Sequence, residues 1–119
     1  MRVQRFDERG VLSERTGTSF VVFVYEGGDP PGTSWSVDSY LLDDADLPGV
    51  LGWLGKHLPP GCCWSLGVAR PLDPSPAATG MAVDWIVGAD VLNAEAGTLS
   101  PAAQRVAREM LGRRHRVGF

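Results

Sequence analysis

The stretch Ser19-Phe20-Val21-Val22-Phe23-Val24-Tyr25-Glu26 decides how this chain folds. Valine, phenylalanine and tyrosine follow one another without a polar break, and branched or aromatic side chains suit a pleated strand. Apolar residues occupy both alternating sets of positions, so the spacing predicts a strand covered on both faces and central in its sheet. Gly27-Gly28-Asp29-Pro30-Pro31-Gly32 then interrupts regular structure. Beyond it, Trp35–Leu42 alternates, with Trp35, Val37, Ser39 and Leu41 facing one way and Ser36, Asp38, Tyr40 and Leu42 the other. The two strands are expected to pair as a hairpin.

Towards the N-terminus, Arg2–Phe6 and Val11–Arg15 read as two short strands about a turn at Asp7-Glu8-Arg9-Gly10. Towards the C-terminus, Asp43-Asp44-Ala45-Asp46 marks a helix start, because a carboxylate there accepts an unpaired backbone N–H and meets the positive end of the helix dipole. Pro48 fits the first turn, whose N–H groups lack partners in any case. Leu47, Val50, Leu51, Leu54 and Leu58 fall on one buried stripe, and Pro59-Pro60-Gly61 ends the helix. Cys62–Arg70 is a further strand, followed by the proline-rich loop 71–80. Met81–Leu92 fits two patterns. Val83, Trp85 and Val87 suit a strand, while Met81, Trp85, Ile86 and Leu92 suit a short helix; the branched residues favour a strand over Val83–Val87. Ser100-Pro101 opens a last helix with Ala103, Val106, Ala107 and Met110 as its apolar stripe and Gly112 as its left-handed cap.

This order predicts an α+β domain: a mainly antiparallel sheet of about five to six strands with two helices packed on one face. The 119 residues suffice for one core, expected over residues 1–112, with 113–119 as a basic C-terminal tail. The formal net charge is -3. Residues 105–119 hold Arg105, Arg108, Arg113, Arg114 and Arg116 against Glu109 alone, a net +4, which leaves -7 for the rest. No apolar run approaches the length of a membrane span and no signal-peptide pattern opens the chain, so a cytoplasmic protein away from membranes is expected.

Few residues carry recognisable chemistry. Cys62 and Cys63 are neighbours in sequence and cannot staple distant parts of one chain; they read as small apolar residues, one on each face of a strand. With His57 and His115 they show no zinc-ligand spacing, and no metal or cofactor is expected. His57, in the last helical turn, reads as a C-terminal capping residue. Asp38, Asp84 and Asp90 are the candidates for a catalytic carboxylate pair, which would need two of them to converge in a partly dry cleft. Solvent-facing strand positions explain them as well, so no catalytic residue is assigned.

Two surfaces suit a partner. On the first helix, Gly49, Gly52, Trp53 and Lys56 lie away from the leucine stripe, forming a smooth face flanked by one tryptophan. The arginines of residues 105–119 could instead meet nucleic-acid phosphates, although the acidic body opposes that. The expectation is therefore a small non-catalytic interaction domain, an accessory, regulatory or toxin-neutralising protein that uses its acidic surface or the Trp53 face. Its partner would be another protein or a second copy, with steering by opposite charge.

Overall fold

A computed structural model describes residues 1–11, 17–28, 34–71, 80–94 and 96–117. Strand β1 spans Thr18–Gly27 and β2 spans Trp35–Ala45; helix α1 covers Leu47–His57; β3 spans Cys63–Pro71 and β4 Met81–Val87; helix α2 covers Pro101–Gly112. Single 3-10 turns lie at Glu8–Gly10 and Ala96–Thr98. The strands form one four-stranded antiparallel sheet in the order β2-β1-β3-β4. The α+β class holds, and the apolar segment at Ser19–Glu26 is central: Val22 and Tyr25 are fully buried on its opposite faces.

β1 is antiparallel to both neighbours, so β2 and β3 run parallel and α1 carries the chain across β1 between them. A short hairpin cannot join parallel strands, which is why a helix sits here. Asp46 caps α1 by accepting from the Gly49 N–H at 2.8 Å. Val50 and Leu54 are wholly buried against Phe20, Val22, Val24, Cys62, Trp64 and Leu66. Leu51 and Leu58 pack at the margin of this core, while Leu47 is largely exposed and falls outside the stripe.

The helices lie on opposite faces of the sheet, not on one. α2 places Met110 and Val106 with Tyr25 and Cys63, on the side away from α1. Alternation along β1 and β3 is the reason: Val22, Val24, Trp64 and Leu66 project to the α1 side, Tyr25 and Cys63 to the α2 side. An apolar strand covered on both faces needs a helix on each. Cys62 and Cys63 divide between the faces as their adjacency requires.

The expected five to six strands become four among the described residues. Arg2–Phe6 adopts no strand, and Asp7-Glu8-Arg9-Gly10 forms a 3-10 turn capped by the Asp7 carboxylate on the Arg9 N–H. The partner expected at Val11–Arg15 lies, apart from Val11, outside the described residues, as do most of loop 71–80 and residues 118 and 119. Asp43 and Asp44 extend β2 instead of opening α1. They form a bulge in which these two residues of β2 face Ser19 alone on β1, with Asp44 left-handed at φ 50°. The Met81–Leu92 ambiguity resolves as strand over Met81–Val87.

Residues 113–117, expected as a tail, return to the sheet. The His115 N–H donates to the Cys62 carbonyl at 3.2 Å, the Trp64 indole N–H donates to the Arg116 carbonyl at 2.8 Å, and Val117 packs against the α1-side core. The left-handed residue at this turn is His115, φ 75°, rather than Gly112.

Candidate interaction surface

β2 is an edge strand eleven residues long, with every residue exposed except Trp35, Leu42 and Ala45. An unpaired edge offers a row of backbone donors and acceptors to any extended segment that approaches it. The sequence around it is acidic, residues 16–55 containing Glu26, Asp29, Asp38, Asp43, Asp44 and Asp46 and no lysine or arginine, while in the fold Arg114 comes to 4.9 Å from the centre of the Trp35 ring at the start of β2. Ser19 donates its hydroxyl to Asp43 at 2.7 Å, and Asp46 is committed to its cap. Asp38 lies opposite Val24, on the α1 side of the edge.

Beside Asp38 on that side stands an aromatic cluster. Tyr40 meets Trp53 edge to face, with centroids 5.1 Å apart, and Trp53 stacks on His57 at 4.7 Å. The His57 Nδ1 contacts the Trp53 carbonyl at 2.8 Å, so the ring is held by the last helical turn, in keeping with a capping residue. Trp53 is half-buried, leaning from α1 towards β2 rather than standing on the outer helix face. Gly52 and Gly55 face open space, Gly49 lies against its Asp46 cap, and Lys56 is exposed. The structure thus joins Trp53 to Tyr40 and His57, with Asp38 two residues before Tyr40 on the same side of β2, and sets Gly52 apart on the outer helix face.

On the other side of the sheet α2 closes the end around Tyr25 and Cys63, and among the described residues a shallow open groove of about 300 Å³ lies over Val21, Phe23, Ser39, Leu41, Met81 and Val83. Leu41 and Met81 are about half exposed, at 48% and 49%.

The expected basic tail is largely built into the fold. Arg114 donates from Nε to the Gly61 carbonyl at 2.7 Å and from a terminal nitrogen to the Gly27 carbonyl at 2.8 Å, and its guanidinium lies 4.9 Å from the centre of the Trp35 ring. Arg113 lies 5.9 Å from the centre of the Trp64 ring, and Arg116 reaches the Gly112 carbonyl. Arg105 and Arg108 are exposed on α2.

The carboxylates do not converge. Asp38 is on one edge strand and Asp84 on the other, where it accepts from Arg70 at 2.9 Å. Asp90 accepts from the Tyr25 hydroxyl at 3.0 Å, which is also 3.1 Å from the Ser65 hydroxyl. Burial pushes the Tyr25 hydroxyl well above its usual range, reinforced by the Asp90 carboxylate and opposed by the Ser65 hydrogen bond. Burial likewise raises both cysteine thiols, which disfavours the reactive thiolate. No group of three metal-binding side chains occurs among the described residues, nor any helix long and apolar enough to cross a membrane.

The β2 edge escaped the reading of sequence because edge status is a property of strand order. Tyr40 gave a weak signal, a large aromatic on the same strand face as Ser36 and Asp38. No family model, curated protein or solved structure matches this chain.

Proposed function

We propose that this chain is a protein-interaction domain that receives an extended, basic segment of a partner protein along β2. The observation that carries this reading is the outer edge of β2 beyond Trp35, whose own backbone N–H and C=O are held by the Asn93 side chain, inside a stretch with six acids and no bases. Backbone pairing along an edge supplies affinity, and alternate side chains supply selectivity. Arginine or lysine side chains on the α1 side of an added strand would meet Asp38 and the exposed parts of Tyr40 and Trp53, where charge and aromatic faces both attract cations. Of the cations expected to serve a nucleic-acid partner, Arg113 and Arg114 are engaged within the fold, which favours the protein reading.

The test is a titration of the isotope-labelled chain with a short peptide alternating arginine and valine. Amide shifts concentrated in residues 35–45 are expected, with affinity falling steeply as salt rises. Asp38→Lys should weaken binding by about tenfold, which corresponds to about 1.4 kcal/mol. A second peptide, N-methylated on alternate backbone nitrogens, keeps the charge but cannot pair along one edge. Equal binding of both peptides, or shifts scattered over the surface, overturns the proposal.

A further inference from the structure

The N-terminal arm and the open groove are two unsatisfied features of one chain. All of residues 1–11 are exposed, including Met1, Val3, Phe6 and Val11, and the arm's hydrogen bonds run within it, from Arg9 to Asp7 and around the 3-10 turn. On the sheet, Val21, Phe23, Leu41, Met81 and Val83 line the groove that α2 leaves uncovered.

We propose that residues 1–11 are a strap that closes over this groove on their own domain. The groove begins where the arm is attached: β1 starts at Thr18, three residues before Val21, at the end of the sheet opposite Tyr25 and α2. Six residues separate Val11 from Thr18 and span up to about 20 Å when extended, enough to turn the arm back across the sheet. Arg2, Arg5 and Arg9 against Asp7 and Glu8 leave the arm net positive, opposite in sign to the β1–β2 region. Attachment also favours the chain's own groove over that of a second copy, because a short linker holds the arm at a high effective concentration. Covering half-exposed Leu41 and Met81 with Phe6 and Val3 removes apolar surface of both from water.

The experiment compares methyl spectra of the full chain and its Phe6→Ala variant at several protein concentrations. Phe6 is exposed and supports no core contact, so the variant folds. Ring-current shifts at the Leu41, Met81 and Val83 methyls that vanish in F6A and do not vary with concentration are the expected result. A variant with Met81→Lys on the groove should release the arm in the same way, seen as sharper resonances from residues 1–11. Changes confined to the arm itself overturn the proposal. So do groove shifts that grow with concentration, which would place a second copy there instead.

Discussion

The two faces of the sheet differ in how completely they are closed. On the α1 side, Val50, Leu54, Trp64 and Leu66 are at most 1% exposed, and the chain end at Val117 completes the cover. On the α2 side the closed part is small, built on Tyr25, Cys63 and Met110, and the remainder is the open groove. The difference separates the face that carries most of the packing from the face that leaves apolar surface open among the described residues. A face sealed by a helix and a returning chain end carries the packing energy, while the open half and the free β2 edge remain available for contact.

The sharpest break of this comparison is Trp64→Ala. The ring is 1% exposed and its N–H holds the Arg116 carbonyl, so truncation opens a cavity and releases the chain end together. A loss of about 4 kcal/mol in chemical denaturation is expected. A loss below about 1 kcal/mol would mean that the α1 face is not the closed one.

Tyr25→Phe tests the closed end of the other face and should cost about 1.5 kcal/mol, since it leaves Ser65 and the connection at Asp90 without their shared hydroxyl. It also has a pH signature. The Tyr25 hydroxyl holds its proton in the folded chain at pH values where an unfolded tyrosine, with its ordinary value near 10, has lost it. The unfolded state then binds fewer protons, so this contribution is intact below about pH 10 and is lost as pH rises beyond it. Stability measured from pH 9 upward should fall less steeply in Y25F than in the parent chain. The buried thiols give a similar slope from lower pH in both proteins, so the difference between them isolates Tyr25.

The smallest effects belong to the open surfaces. Gly52→Ala meets nothing within 4 Å and replaces the costlier residue in a helix interior, so a gain of about 0.5–1 kcal/mol is expected by thermal melting. Leu41→Ala made in the F6A background, where the strap is released, should change stability by less than about 0.5 kcal/mol. A larger loss from L41A in the parent chain is expected, because there the strap shields that residue.

Much of the local structure was legible in sequence because it depends on near neighbours. The central strand at Ser19–Glu26 follows from branched and aromatic residues without a polar break, and α1 follows from a capping carboxylate, a proline in the first turn and a leucine stripe. The same periodicities separated Cys62 from Cys63. Strand order, the face each helix takes and the fate of the arginines depend on distant contacts that no window of sequence contains. α2 reads identically on either side of the sheet; only the positions of Tyr25, Cys63 and Gly88 admit it where it lies. Gly88 is left-handed at φ 69°, and a Cβ there would press on Met110 and Ser65. A charge count likewise cannot tell a solvated arginine from Arg114, whose carbonyl partners Gly27 and Gly61 come together only after the chain has crossed the sheet. The sequence by itself determined the central strand, the two helices and how charge divides along the chain, because those properties reside in side chains and their spacing. The tertiary structure decided which strands become the edges and, among the described residues, which part of a face stays open, because both depend on which segments remain to cover them.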